Sequence, residues 1–199
     1  MEAFIDCKEK TDEELISLAA ENTAYFSCII ERYEKKLKRY VRRITKISDD
    51  DVEDVLQEIF IKVYMNIQGF DTKLSFSSWI YRIAHNTVIS MHRKLQSRPE
   101  GHMVDIEDDK LFNIVDTGDI EHETNTKYLK EHLAQAIDNI PQKYQDVIIL
   151  RFFEEKDYKE ISDILQKPMG SVATLINRAK DRLKKEFISL GYSKQDYEK

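Results

Sequence analysis

Residues that interrupt or cross-link a chain are scarce in this sequence of 199 residues, which contains five Gly, three Pro and two Cys. So little Gly and Pro excludes collagen-like and Pro-rich low-complexity classes. The two cysteines, Cys7 and Cys28, exclude a disulfide scaffold and any thiolate zinc cluster. Apolar residues make up 41% of the chain, which is enough to build hydrophobic cores.

Long apolar runs are equally scarce. No uninterrupted run approaches the ~20 residues that a membrane-crossing helix needs. The first ten residues are acidic and lack the apolar segment of a secretory signal. The sequence therefore predicts a soluble, reduced, cytoplasmic protein with no direct membrane insertion.

The net charge of −6 is concentrated in the middle of the chain. Residues 1–98 hold 16 basic and 16 acidic side chains, residues 99–135 hold 3 and 10, and residues 136–199 hold 12 and 11. A net-negative protein is usually a poor candidate for nucleic-acid binding. Phosphate contacts depend on local basic patches, however, and both flanks can supply these.

The spacing of apolar residues predicts an all-α protein with two small helical domains. No segment alternates apolar and polar residues with the period of a strand. Pro99 and Gly101 end a helix, so we predict a flexible acidic linker over residues 98–123, with a short ordered turn around Leu111 to Ile114 as the alternative. The first domain is expected over residues 1–97, the second over residues 124–190, and a polar tail over residues 191–199. Helices are predicted over Glu13–Leu18, Tyr25–Ile44, Val52–Ile67, Lys127–Asn139, Gln142–Phe153 and Tyr158–Leu165. Two further helices are predicted to begin at Phe76 and at Ser171.

The helix predicted over Tyr25–Ile44 is apolar on one face and strongly basic on the other. Its basic residues and the Lys that follows are Lys35, Lys36, Lys38, Arg39, Arg42, Arg43 and Lys46. A solvated helix face is the ordinary interpretation of a charge run, but this density also indicates a polyanion nearby.

The helix predicted over Val52–Ile67 carries a mixed patch outside its apolar stripe, and Asp49, Asp50 and Asp51 are the candidates to cap its start. The patch consists of Asp54, Gln57, Glu58 and Ile61. An apolar side chain among polar ones can dock a protein partner. The alternative is an ordinary solvated face with one stray Ile.

The segment Phe76–Asn86 combines aromatic residues with an Arg and an Asn. Aromatic rings stack on unpaired bases, while Asn and Arg read base edges. Such residues also fill cores, and composition alone favours core packing. His85 and His92 have no carboxylate at metal-ligand spacing, so we expect no metal and no cofactor.

A short helix, a Gly-containing break over Gln166–Gly170 and a longer helix form a helix-turn-helix pattern. We rotate the second helix by about 100° per residue to find the face opposite its apolar stripe. This face is small and polar in its first half, which can reach base edges, and basic in its second half, which can hold phosphate. It carries Ala173, Thr174, Asn177, Asp181 and Lys184, flanked by Arg178 and Lys180.

Together these segments resemble the extracytoplasmic-function (ECF) sigma factors of the sigma-70 family, which are specificity subunits of RNA polymerase. The resemblance covers about Glu13 to Phe187. Three segments carry it: Asp51–Phe60 resembles the polymerase-binding helix, Phe76–Asn86 the promoter-melting helix, and Tyr158–Lys180 the terminal helix-turn-helix.

The resemblance implies a role for each matching position. Core RNA polymerase would be contacted by Asp54, Gln57, Glu58 and Ile61. The minus-ten element would be recognised and melted by Phe70, Trp79, Tyr81, Arg82 and Asn86. The minus-thirty-five element would be contacted by Ser171, Ala173, Thr174, Asn177, Arg178 and Lys180. The family also implies an inhibitory anti-sigma factor, often membrane-tethered, as a partner beside core polymerase and promoter DNA.

One departure from the family concerns the recognition helix. The family commonly has basic residues where this chain has Ala173 and Leu175. A bidentate Arg–guanine contact is worth roughly 1–3 kcal/mol of discrimination. The family's promoter sequence therefore does not transfer to this chain.

Two other classes explain less of the sequence. A stand-alone helix-turn-helix regulator accounts for residues 124–187 but leaves the first domain without a role. A helical metal-dependent hydrolase would need a catalytic motif, and the sequence contains no His-Glu-x-x-His, Gly-x-Ser-x-Gly or P-loop. The resemblance therefore implies a dissociable specificity subunit of RNA polymerase and not an enzyme.

Overall fold

The computed structural model describes residues 7–45, 47–71, 74–96 and 124–191. Within these ranges the chain is helical and contains no β-strand, so the all-α prediction is confirmed. The predicted linker over residues 98–123 lies outside the described residues, as do residues 192–199 of the predicted tail.

Eight α-helices are present in the described part of the chain. A 3-10 turn (Thr23–Tyr25) leads into α2, a second one (Ile67–Gly69) follows α3, and a π-helical turn (Ile149–Phe153) extends α6. Two compact units result, one built mainly from α1–α4 and the other mainly from α5–α8. The helices are α1 (Asp12–Glu21), α2 (Phe26–Ile44), α3 (Asp49–Asn66), α4 (Phe76–Gln96), α5 (Thr124–Asn139), α6 (Gln142–Ile148), α7 (Tyr158–Leu165) and α8 (Met169–Ser189).

Side-chain caps fix where several of these helices begin. At α1, the Glu14 N–H donates to Thr11 Oγ1 (3.2 Å) and the Thr11 N–H donates to Glu14 Oε2 (2.7 Å). Asp157 and Glu160 form the same reciprocal pair at α7. At α3 the cap is Ser48. The sequence predicted a cap from one of the three aspartates, and this prediction was wrong. The aspartates occupy the first turn, where their charge favours the positive helix end.

The core of the first unit is made by the apolar stripes of its four helices. α3 packs along α4, and α1 packs against α4 and the turn Ile67–Gly69. Tyr40 and His85 are buried as a pair, with the Tyr40 hydroxyl 3.1 Å from His85 Nδ1. The buried apolar residues include Leu15, Ile16, Leu37, Val41, Val52, Ile59, Val63, Ile80 and Ala84.

Cys7 and Cys28 form a disulfide in this structure, which differs from the reduced thiols that the sequence predicted. Their Cα atoms are 5.5 Å apart, within the usual range for a disulfide. The pairing arises because the chain before α1 returns along α2, which the spacing of the two cysteines does not reveal. One disulfide is not a scaffold, so that exclusion still holds.

The second unit has its core where α8 packs against both α5 and α6. The Arg182 guanidinium of α8 lies 5.0 Å from the centre of the buried Tyr144 ring of α6, and this contact links the two helices. The buried apolar residues of this unit include Ala134, Ile137, Val147, Leu150, Ile161, Val172, Ile176 and Ala179.

The break between α7 and α8 differs from its prediction. Gln166 has left-handed backbone angles (φ 52°, ψ 47°), and the Ser162 hydroxyl donates to the Lys167 carbonyl (2.5 Å). Gly170 lies inside the first turn of α8, where an added Cβ would meet nothing within 4 Å. The reversal of the chain therefore depends on Gln166 and not on the glycine.

Candidate nucleic-acid and protein interfaces

The mixed patch predicted on α3 is exposed. Asp54, Gln57, Glu58 and Ile61 all face solvent, and Ile61 is 58% exposed. Their spacing of three and four residues places them on one helix face. Glu58 also pairs with Lys62 (2.6 Å) one turn further on.

An apolar groove of about 430 Å³ lies between α2 and α3, directly beside this patch. Gln57 and Ile61 belong to both the patch and the groove. The exposed apolar surface continues along α3 through Tyr64 and Met65, which are 44% and 76% exposed. The groove is lined by Phe26, Ile30, Glu34, Glu53, Leu56, Gln57, Phe60, Ile61 and Tyr64.

The groove and its rim are suited to docking a protein. Exposed apolar side chains can accept a ridge from a partner, while the carboxylates of Asp54 and Glu58 can meet basic residues at the rim. Within the described ranges, no cluster of three His, Cys, Asp or Glu side chains could hold a metal ion. Sequence periodicity identified the exposed residues that α3 contributes. The residues that α2 contributes could not be identified without knowing that these two helices pair.

The residues predicted for promoter melting divide between core and surface. Phe70 and Tyr81 are buried, Trp79 and Arg82 are half-buried, and Asn86 is exposed. The Tyr81 ring is 3% exposed and packs on Tyr40, with centroids 5.1 Å apart. A base could reach it only if this packing opened. We therefore assign Tyr81 to the core and not to the DNA surface.

Phe70, Phe76 and Trp79 form an aromatic cluster at the start of α4. Their ring centroids lie 5.1–5.7 Å apart, and Tyr33 of α2 meets Phe76 edge-on at 5.3 Å. The Tyr33 hydroxyl donates to Asp12 of α1. Burial, the hydrogen bond to Asp12 and the Asp12 charge together raise the pKa of Tyr33 far above its usual value. The sequence carries no signal for this link between α1 and the cluster.

The polar face predicted for α8 is exposed. Ser171, Thr174, Asn177 and Arg178 face solvent, while Ala173 is half-buried. The Thr174 hydroxyl donates to the Gly170 carbonyl (2.9 Å), but the residue as a whole stays accessible. This exposure confirms the prediction that these residues of α8 lie on the face opposite its apolar stripe.

Lys180 has an aromatic neighbour that the sequence did not indicate. It is exposed, and its Nζ lies 5.3 Å from the centre of the Phe152 ring, which is itself 51% exposed. A cation held over an exposed ring loses some freedom but keeps its charge at the surface.

Only part of the basic run on α2 forms an open face. Lys35, Lys36 and Arg39 are exposed. Lys38 instead pairs with Glu53 of α3. Arg43 is only 5% exposed. The sequence predicted seven neighbouring cations, but Lys38 joins two helices and Arg43 is buried, so the accessible positive charge on α2 is smaller than the sequence count.

Two family models of sigma-70 factors match this chain. The family model for sigma-70 region 2 matches residues 29–98, and that for sigma-70 region 4 matches residues 130–183. The first match includes the patch on α3 and the aromatic cluster, and the second includes the helix-turn-helix. A stand-alone regulator would leave the region 2 match unexplained.

Similar proteins narrow the class further. The chain is 32% identical to the ECF RNA polymerase sigma factor SigW of Bacillus subtilis (strain 168), over 83% of this chain and 90% of that protein. It is 29% identical to the ECF RNA polymerase sigma-E factor of Haemophilus influenzae, over 92% and 98%. The chain belongs to the ECF RNA polymerase sigma factors, which direct promoter recognition and transcription initiation.

Solved structures share this fold. CnrH in complex with the cytosolic domain of CnrY aligns over 91% of this chain and 99% of its own, with a TM-score of 0.66 and 19% identity. The sigma factor RpoE in complex with the anti-sigma factor NepR from Bartonella quintana aligns over 82% and 96%, with a TM-score of 0.61 and 17% identity. Where the structure describes the chain, it contains no helix with the length and apolar character needed to cross a membrane.

Proposed function

We propose that this sigma factor docks on core RNA polymerase through the patch Asp54, Gln57, Glu58 and Ile61 together with the groove beside it. The observation that supports this most strongly is the 58% exposure of Ile61 between carboxylates and at the edge of an apolar groove. A soluble domain exposes such a combination at a cost unless a partner covers it.

At the minus-ten element, we assign the DNA surface to Asn86 and Arg82, with Phe70 and Trp79 beneath it. Asn86 is exposed, and its amide can pair with the edge of an unpaired base. The aromatic cluster gives the flipped base an apolar wall. Extracting a base costs a few kcal/mol, so a surface that accepts the flipped base lowers the cost of strand opening.

At the minus-thirty-five element, we assign readout to α8. Ser171, Ala173, Thr174 and Asn177 lie in its first half, where short side chains let the helix approach base edges. Arg178 and Lys180 supply charge for phosphate or for guanine. The upstream element would be read mainly by polar contacts, since the family's additional basic positions are absent here.

The protein is proposed to act in the cytoplasm and not as an enzyme, because phosphodiester chemistry and its magnesium belong to the polymerase. An anti-sigma factor, often membrane-tethered in this family, is the expected inhibitor. Two structures with the same fold are complexes, one with the cytosolic domain of CnrY and one with the anti-sigma factor NepR. The exposed patch on α3 is where such a competitor would exclude polymerase.

The test is gel filtration of the full chain with core RNA polymerase from a closely related bacterium. Wild type should co-elute, and Asp54→Lys should bind at least about tenfold more weakly, because like-charge juxtaposition costs more than the ~1.4 kcal/mol that tenfold represents. Glu31→Lys is the matched control, since Glu31 is an exposed acid of α2 outside the groove.

Retained binding by a folded Asp54→Lys protein would contradict the assigned face. Equal losses in Asp54→Lys and Glu31→Lys would show an effect of overall charge. If neither wild type nor either variant co-elutes with core polymerase, a screen for duplex DNA binding by the isolated protein would test whether it is a stand-alone regulator.

A further inference from the structure

The disulfide between Cys7 and Cys28 has no part in the surfaces assigned to polymerase or promoter. Cys7 lies five residues before α1 and is half-buried, whereas Cys28 is on α2 and only 1% exposed. Together the two sulfur atoms attach the start of the described chain to the second helix. The pair therefore fixes the position of the segment 7–11 and of the helix that follows it.

Arg32, one helical turn after Cys28, holds the same segment through its guanidinium group. Nη2 donates to the carbonyls of Cys7 (2.7 Å) and Lys10 (2.9 Å), and Nη1 donates to Asp12 Oδ1 (2.6 Å). None of these contacts involves sulfur. They can hold Cys7 beside Cys28 when the thiols are reduced, so the bond can form and break without a large rearrangement.

A continuous series of contacts leads from this segment to the aromatic cluster. Asp12 accepts hydrogen bonds from both Arg32 and Tyr33, and the Tyr33 ring packs edge-on against Phe76. α1 itself packs against α4 and against the turn Ile67–Gly69 that precedes Phe70. The position of the segment 7–12 therefore affects the residues that support the proposed minus-ten site.

The setting of this disulfide points to regulation and not to permanent cross-linking. A sigma factor meets its polymerase where thiols are kept reduced, and disulfides in such compartments are usually transient, catalytic or redox-sensing. The chain also builds a hydrophobic core in each unit, so it does not need a cross-link to fold.

We propose that Cys7 and Cys28 are a redox-sensitive thiol pair whose oxidation fastens the segment 7–12 to α2, holds α1 against the aromatic cluster and favours promoter opening. Reduction leaves the segment held only by the Arg32 hydrogen bonds, which restrain it less than a covalent bond does, while the patch on α3 and its groove keep their structure. Only the last step, the effect on promoter opening, rests on the proposed function. Thiol chemistry and its effect on stability can be measured without polymerase.

The oxidant is a low-molecular-weight disulfide. The Cys7 thiolate, the more accessible of the two, attacks one of its sulfur atoms, forms a mixed disulfide and releases one thiolate. The Cys28 thiolate then attacks Cys7 Sγ, forms the protein S–S bond and releases the second thiolate. Two electrons pass from the protein thiols to the oxidant, and the two thiol protons end on the released thiols.

The first experiment equilibrates the full chain in buffers of graded reduced to oxidised glutathione, followed by acid quenching, alkylation and intact-mass measurement. We expect two alkylated thiols at the reducing end, none at the oxidising end, and a mixed disulfide on Cys7 in Cys28→Ser. The oxidised form should melt at least about 5 °C above the reduced form. Cys7→Ser and Cys28→Ser should show no such shift.

Two results would overturn the pair as a switch. One is a wild-type protein that stays fully alkylated at every glutathione ratio. The other is complete oxidation with no change in melting temperature, which would show that the bond constrains nothing. A loss of folding in one Ser variant would leave the wild-type titration and melting comparison decisive.

The second experiment compares promoter opening by preformed oxidised and reduced protein with core polymerase, after removal of glutathione. We expect at least about fivefold more open complex from the oxidised form, the lower end of typical coupling between sites. Cys7→Ser, carried through both treatments, should give equal yields. Core binding should not differ between the two forms.

Equal yields from oxidised and reduced wild type would overturn the effect on opening. Absence of open complex from every form and variant would instead count against the proposed function. The thiol titration would be unaffected, because it is measured without polymerase.

Discussion

Gln166 occupies the most strained backbone position of the helix-turn-helix. Left-handed angles cost a residue with a Cβ roughly 1–2 kcal/mol, and glycine avoids this cost. Gly170, only four residues later, is helical and has no need of its freedom. Glycine is thus present near the turn but not at the residue whose conformation requires it.

We predict that Gln166→Gly makes the second unit more stable than Gln166→Ala by roughly 0.5–1 kcal/mol, since part of the relieved strain is offset by the greater freedom of glycine in the unfolded chain. Urea denaturation followed by circular dichroism measures the difference. The Ala variant removes the same side-chain contacts, so the comparison isolates the backbone. Equal stabilities would mean that Gln166 is not strained in solution.

Individual residues of the aromatic segment show where sequence reasoning reaches its limit. The segment Phe76–Asn86 was recognisable by its composition, and both core packing and base stacking were open. The structure divides it, with Tyr81 on Tyr40 in the core and Asn86 on the surface. The division depends on which face of α4 meets α2 and α3, and composition carries no information about that.

At the scale of the element, α1 is a short helix that depends on its ends and on its neighbours. Ten residues are too few for an isolated helix in water. The capping box of Thr11 and Glu14 satisfies two backbone donors at its start, while Leu15, Ile16 and Ala19 bury its apolar face. The helix therefore exists because local capping and tertiary packing agree.

Thr11→Ala should lower the free energy of unfolding of the first unit by about 1 kcal/mol, because the cap to the Glu14 N–H is lost. Ser17→Ala is the control: Ser17 is exposed and its hydroxyl only returns to the Glu13 carbonyl, so a change within about 0.5 kcal/mol is expected. Chemical denaturation of both variants provides the measurement. Similar losses in the two would show that packing alone sets the start of α1.

The pairing of α2 with α3 creates a feature that neither helix has alone. The α3 stripe predicted which residues are exposed, and Asp54, Gln57, Glu58 and Ile61 are exposed as predicted. The groove forms where Phe26 and Ile30 of α2 come together with Gln57 and Ile61 of α3. An exposed patch with an adjoining groove can select a partner whose surface fits the groove. A flat patch is less selective.

At the scale of the whole molecule, the first unit is proposed both to melt DNA and to dock on polymerase. We predict that a single substitution can impair one of these functions and leave the other intact. Asn86→Ala should reduce open-complex yield by about tenfold, because a bidentate base contact is worth roughly 1–3 kcal/mol. Binding to core polymerase should be unchanged, because Asn86 is on α4 and the patch is on α3.

Permanganate reactivity of the melted strand measures opening, and gel filtration measures binding. Ser90→Ala is the matched control, since Ser90 is exposed one turn further along α4. A decrease of both opening and core binding in Asn86→Ala would indicate a structural role for Asn86. Equal effects in Asn86→Ala and Ser90→Ala would argue against a specific base contact.

The sequence by itself determined the helices, their exposed faces and the motifs of the family. These are local properties, because the 3.6-residue repeat converts apolar spacing directly into one buried stripe and one exposed face. α7 matches its predicted bounds, Tyr158–Leu165, and the exposed residues of α3 and α8 follow from the same repeat.

Tertiary structure alone decided the disulfide, the groove and the burial of Phe70 and Tyr81. Each depends on segments far apart in sequence: Cys7 and Cys28 are separated by 21 residues, and Tyr40 and Tyr81 come from different helices. Such contacts are set by how whole helices pack against one another. Local periodicity cannot specify that arrangement, because one apolar stripe can pack against many possible partners.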